Sequence, residues 1–282
     1  MGLSSCVTLV PPDTGLGASA EMVDRTAAAA SAVERGQIVS AFFGVDNRLP
    51  LLARFRICEG AANRDGLVVV FDREIDMASV EAGDIVVRTK SGRTGEMVCA
   101  TLMPAADDGE RRTLLLVGEF GNANADPPAE VDVVGHLLAR DGKADYQGAK
   151  KSVMPLAAGP VLVWAERVTS SGARPGKGSW ARGSACPAGT AQAVLVTWSG
   201  GVRRRDGDEL TGLERSLYDV VMEDGKRAEP FALGDLDDGD NHHLLCLRET
   251  GRPVQVMFPA GPLADPNKDA NPATQVVVRS RR

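Results

Sequence analysis

The stretch Gly66-Leu-Val-Val-Val-Phe71-Asp-Arg-Glu-Ile75-Asp-Met-Ala-Ser-Val80-Glu-Ala-Gly-Asp84-Ile-Val-Val-Arg88-Thr-Lys-Ser-Gly92 sets two short apolar runs on either side of a polar turn. Runs of this length, rich in Val and bounded by Asp, Gly and Ser, read as β-strands rather than helices. A degenerate copy returns as Ala193-Val-Leu-Val-Thr-Trp198 and Tyr218-Asp-Val220-Val-Met222, with about eight extra residues between its two strands. That repetition predicts an all-β chain built from two tandem antiparallel sandwiches.

Working outward, residues 37–43, 53–58, 96–102, 113–117 and 130–134 show the same style, which with 67–71 and 84–89 makes seven predicted strands. No long helical period separates them, so an antiparallel sandwich is expected rather than a βαβ sheet. Pro155, Gly159 and Pro160 mark a boundary within residues 151–160. Beyond it the order repeats: 160–165 answers the strand around Ile38, 194–198 answers 68–71, 219–222 answers 84–87, 244–247 answers 114–117, and 254–258 answers 131–134. The expected division is a tail over 1–36, a first sandwich over 37–157 and a second over 160–282. Within the tail, residues 7–20 are Pro-, Gly-, Ser- and Ala-rich and read as a tether. Residues 21–35 carry acids early, alanines centrally and Arg35 late, which predicts a short helix closed by Gly36.

A net charge of −6 over 282 residues argues against a nucleic-acid partner. The basic triplet Arg203-Arg-Arg205 runs straight into Asp206, Asp208 and Glu209, as a solvated turn would. No run of about eighteen apolar residues exists, so contact with a membrane is expected only through a lipid anchor. Leu3-Ser-Ser-Cys6 resembles a bacterial lipobox, which implies lipidation at Cys6 and an exported, membrane-anchored protein. That pattern also has a charged and an apolar segment upstream, and two residues precede Leu3. Five cysteines are an odd count. One anchor at Cys6 plus one disulfide per sandwich, from Cys58 and Cys99 and from Cys186 and Cys246, uses all of them. The alternative is five buried thiols in a reducing compartment.

Two acidic loops could bind calcium, a hard cation that takes six to eight oxygens. The first offers Asp235, Asp237, Asp238, Asp240 and Asn241, and the second Asp265, Asn267, Asp269 and Asn271. The competing reading is that Asp, Asn and Gly simply build tight turns. Asp107, Asp108 and Glu110 are a poorer equivalent in the first copy. His242 and His243 are adjacent on a predicted strand, face opposite ways and so do not share a zinc ion readily. No GxSxG elbow, HExxH, CxxC or P-loop spacing is present, which points away from an enzyme. Trp180, in a Gly-, Ser- and Arg-rich loop, is the one tryptophan free to contact a ligand, because Trp164 and Trp198 occupy core-type strand positions.

The phrase from Val69 to Val87 resembles the bacterial immunoglobulin-like domain of surface-layer and other envelope proteins. The resemblance rests on a strand ending in an aromatic, a polar turn, Ile75-Asp76, a small-residue helical turn and a strand entered through Gly83-Asp84. It implies an envelope sandwich and brings no catalytic residues. The expected function is therefore a non-enzymatic structural, adhesion or protein-interaction module, with an envelope protein or polysaccharide as partner. The alternative is a carbohydrate-binding or hydrolase-accessory module.

Overall fold

The computed structural model describes residues 33–168, 185–236 and 239–280. Its first strands are β1 (Glu34–Arg35), β2 (Ile38–Val45), β3 (Asp65–Phe71), β4 (Ile85–Thr89), β5 (Glu96–Thr101), β6 (Thr113–Glu119), β7 (Pro128–Val133), β8 (Ala144–Asp145) and β9 (Lys150–Ser152). They form a four-stranded sheet in the order β2-β3-β6-β5 and a three-stranded sheet in the order β4-β7-β9, with β1 and β8 paired at the side. The second half contributes β10 (Leu162–Val168), β11 (Gln192–Trp198), β12 (Arg203–Arg204), β13 (Asp219–Met222), β14 (Arg227–Ala228), β15 (Ala232–Gly234), β16 (His242–Leu247), β17 (Pro253–Phe258), β18 (Leu263–Ala264) and β19 (Thr274–Ser280). Here the order β14-β13-β17-β19-β10-β11-β16-β15 is continuous, because β19 pairs in parallel with β10 through Ala165 and Val278. The first half has only an isolated parallel bridge, Phe42 to Met154, at the equivalent place.

Alternation explains the packing. From β3, Leu67, Val69 and Phe71 enter one core with Ile85, Val87, Leu114, Leu116, Val131 and Val133. From β11, Val194, Val196 and Trp198 enter another with Val220, Leu245, Leu247, Val256 and Phe258. The two clusters share no residue. Phe71 meets Tyr146 edge-on at 4.8 Å and Trp198 meets Phe258 edge-on at 5.1 Å, so matching strand ends anchor each core with an aromatic pair.

Two expectations need correction. Residues 53–58 are not a strand: Ala53–Arg56 is one helical turn, α1, whose buried Ala53 alone faces inward. Polar–apolar alternation over so few residues fits either geometry. The helix expected over 21–35 falls mostly outside the described residues, but its end is wrong, since Glu34–Arg35 pairs with Ala144–Asp145 as a strand. Gly36 is therefore no helix cap; it makes room for Tyr146, whose Cε1 would lie 2.3 Å from a Cβ there. Within residues 151–160, the end of β9 is followed by the Leu156–Ala158 3-10 turn, which ends at Gly159 with φ +67°.

Candidate functional site

Between the two cores lies a polar seam, built mainly by the starts of β6 and β16 and by the middle of β10. Glu166 is a carboxylate in a strand whose neighbours Trp164, Ala165 and Val168 are all buried, and a buried charge demands a partner. Arg112, one residue before β6, supplies it: its Nη2 donates to Glu166 Oε2 at 2.7 Å, with the side chains 3% and 2% exposed. The Trp164 indole N–H donates to the same oxygen at 3.3 Å. The Arg112 guanidinium also lies 4.7 Å over the Trp164 ring, and Arg279 of β19 approaches that ring equally closely.

Next to this pair, Thr113 Oγ1 meets His242 Nε2 at 3.0 Å, and the other ring nitrogen meets Thr197 Oγ1 at 3.1 Å. His242 thereby ties a hydroxyl of each half. Burial, reinforced by the Arg112 and His243 charges, drives its pKa well below the ordinary histidine value, so the ring is neutral. His243 points the other way, accepting at Nδ1 from Tyr218 Oη (2.6 Å), which itself accepts from Trp198 Nε1 (3.1 Å). Burial lowers the His243 pKa to about 4. Two further contacts close the seam: Asn267 Nδ2 donates to the Gly44 carbonyl at 2.6 Å, and Phe42 packs on Gly200, where a Cβ would lie 2.6 Å from its ring.

A cleft of about 330 Å³ opens beside Arg112, lined by Asp72, Arg73, Glu74, Arg140, Asp141, Trp164 and Glu166. Its charges are engaged with one another. Arg73 pairs with Asp141 at 3.0 Å and with Glu34, Arg140 pairs with Glu74 and Asp108 at 2.9 Å each, and Asp72 accepts from the Tyr146 hydroxyl. Burial works against ionisation of Asp141, but the Lys143 N–H and the Arg73 guanidinium outweigh it and hold its pKa below the usual carboxylate range. A second, apolar cleft of about 190 Å³ runs between Phe42, Leu49, Leu102 and Leu115 on one side and Gly201, Asn241 and Pro266 on the other. The chemistry of the seam is thus that of a lock: paired charges, a neutral imidazole and stacked cations holding two cores in one setting.

The predicted site residues are scattered relative to this seam. Cys6, Trp180, Asp237 and Asp238 lie outside the described residues. Cys58 bonds to Cys99 and Cys186 to Cys246. The bridges start at equivalent places but end differently, since Cys99 is on the edge strand β5 and Cys246 on the interior strand β16. In the acidic loops the oxygens serve the backbone. Asp265 Oδ1 accepts from the N–H groups of Asn267 and Asp269, Asp240 Oδ1 from that of His242, and Asn271 Oδ1 from that of Leu263. Asn241 Nδ2 donates to the Trp198 carbonyl, and Asp235 is buried at φ +61°. Among the described residues no three His, Cys, Asp or Glu side chains gather into a metal-binding group. Trp164 and Trp198 are buried, as their strand positions implied, and Arg203 and Arg204 pair with Glu209 and Asp206. The seam residues Arg112, Thr113 and Glu166 were not singled out from the sequence. The one available signal was Glu166 itself, an acid inside an otherwise buried run.

No protein-family model and no curated protein matches the chain. Among solved structures, the N-terminal part of the bacterial S-layer protein SbsC aligns at 9% identity over 87% of this chain and 44% of its own, with a TM-score of 0.29. The S-layer protein rSbsC(31-844) aligns at 8% identity over 88% and 41%, with a TM-score of 0.30. The chain spans less than half the length of these proteins.

Proposed function

We propose that the chain is a non-catalytic, exported structural module of the cell envelope, made of two tandem immunoglobulin-type sandwiches and presenting its surface to an envelope protein or polysaccharide. The observation that carries this reading is a cystine beside each core, because such bonds persist in oxidising compartments and are rare in the cytosol. The immunoglobulin assignment is supported by strand order: first-second-fifth-fourth in one sheet and third-sixth-seventh in the other is the constant-type arrangement, and the second half follows it with β14 added. The seam supports a rigid spacer, since its charges are directed at each other and leave Arg112 and Glu166 almost fully covered. The buried Trp164 and Trp198 offer no sugar-stacking face, so the carbohydrate-binding reading has no support among the described residues.

The test is intact mass after alkylation without reductant of the protein purified from its native host. Cys58, Cys99, Cys186 and Cys246 are expected to stay unmodified; four adducts on them would place the chain in a reducing compartment and end the envelope reading. Lipidation at Cys6 belongs to the same proposal and is tested by intact mass of the protein from its native host, which should carry a lipid adduct that Cys6→Ser removes; an unmodified Cys6 would remove the anchor. Calcium at the loops of residues 235–241 and 265–271 rests on residue type alone. An unchanged melting temperature between excess calcium and chelator would remove it.

A further inference from the structure

Between β2 and β3 the chain reads Arg48-Leu-Pro-Leu51-Leu-Ala-Arg54-Phe-Arg56. Folding divides these side chains in two. Leu49 and Ala53 turn inward onto Ala61 and Val117, with Ile57 packed partly behind them. Leu51, Leu52 and Phe55 are left 65%, 60% and 74% exposed around the single turn of α1. One exposed leucine is ordinary, but three large apolar side chains on one turn form a patch that needs a partner.

The surrounding charge says which partner. Arg48, Arg54 and Arg56 are all exposed, and none of them forms an ion pair among the described residues, although most other arginines of the first half do. The Arg54 guanidinium rests 4.5 Å over the Phe55 ring, placing a cation directly beside the apolar tip. Asp46, two residues before Arg48, is half-buried with its oxygens accepting from Asn47 Nδ2 and the Ala123 N–H, and Glu59 is three residues beyond Arg56, so residues 48–56 carry three cations and no acid in a chain of net charge −6. Its base is firm: Ala53, Phe55, Arg56 and Ile57 donate backbone hydrogen bonds within the turn, and the Cys58–Cys99 bridge fixes the following residues to β5.

We propose that this turn docks on the surface of an anionic lipid bilayer, Leu51, Leu52 and Phe55 entering the boundary between headgroups and acyl chains while Arg48, Arg54 and Arg56 engage lipid phosphates. Exposed apolar side chains interleaved with arginines on one short segment are the pattern of interfacial membrane contact. A two-fold contact with a second copy would instead bring two patches of the same positive charge together. The inference needs no lipid at Cys6 and is tested without one.

The experiment uses the full chain carrying Cys6→Ser, sedimented with vesicles of phosphatidylglycerol and phosphatidylcholine or of phosphatidylcholine alone. Binding to the anionic vesicles is expected, weakening as salt rises. The pairs Leu52→Ser with Phe55→Ser, and Arg54→Glu with Arg56→Glu, should each reduce the partition coefficient by roughly tenfold or more. Both pairs are exposed and should leave the melting temperature unchanged. In a Phe55→Trp variant, tryptophan emission should shift to the blue on anionic vesicles. No sedimentation with anionic vesicles, equal binding to neutral ones, or binding indifferent to both pairs would overturn the proposal. So would dimerisation abolished by the Leu52 and Phe55 changes, which would assign the patch to a second copy, or loss of a co-purifying acidic protein without any vesicle binding.

Discussion

Arg112 and Glu166 show how a single buried pair can set the relation between two cores. With both side chains almost completely out of water, the pair's net contribution is small, because desolvation offsets attraction; breaking it is another matter. Arg112→Ala or Glu166→Ala alone should destabilise the protein by about 3–5 kcal/mol, since each leaves an uncompensated charge at the seam. Arg112→Met combined with Glu166→Leu should cost less than either single change. Urea denaturation of the three variants checks this, and a double variant less stable than both singles would show that the pair stabilises beyond mutual compensation. The indole of Trp164 makes the outcome informative, because it stacks on Arg112 and donates to Glu166 and so senses both losses in its fluorescence.

At the level of elements, the strands were legible where both faces are buried. The runs in β3 and β11 are apolar enough that no register leaves them in water, while β13, with Val220 and Met222 buried and Asp219 and Val221 half-exposed, was legible by alternation; the observed bounds extend the predicted ones by at most two residues at an end. What escaped was polar or local. Lys150–Ser152 pairs through its backbone at a sheet edge and carries no apolar signal, while α1 mimics alternation for four residues. The seam escaped because its partners are far apart in sequence, 54 positions for Arg112 with Glu166 and 129 for Thr113 with His242. No local pattern reports such a distance. The cystines were readable as two pairs, yet their unequal landing strands were not. Each closes a loop of similar size, so replacing Cys186 and Cys246 by Ala should cost roughly 4 kcal/mol, and replacing Cys58 and Cys99 a similar amount, by loop-closure entropy. Chemical denaturation under non-reducing conditions measures both.

For the molecule as a whole, pH is a direct probe of the buried histidines. Their folded-state pKa values lie below the unfolded value, so between about pH 6.5 and 4 the unfolded chain binds more protons and stability falls as pH falls. For His243 the loss should approach about 3 kcal/mol by the low end of that window. Chemically, a protonated Nδ1 could no longer accept from Tyr218. Asp65 acts in the opposite direction: burial raises its pKa to about 6, against the Phe120 and Asn47 N–H groups, so the folded state takes up its proton first and gains stability on acidification. Burial raises the Asp265 pKa as well, so two aspartates oppose the two histidines, and His243→Phe should make stability fall less on acidification through that window; an unchanged slope of denaturation midpoint against pH would exclude His243 as a contributor. The unequal cystines also have a mechanical reading. When the chain is pulled from its ends, a covalent bridge carries the load past everything it encloses, 41 positions at Cys58–Cys99 and 60 at Cys186–Cys246. Those segments are hidden length, roughly 140 Å and 200 Å at about 3.4 Å per residue. A single molecule stretched with reductant present should run out to that much greater contour length than one stretched without it, so an oxidising surrounding makes this chain a shorter and stiffer tether.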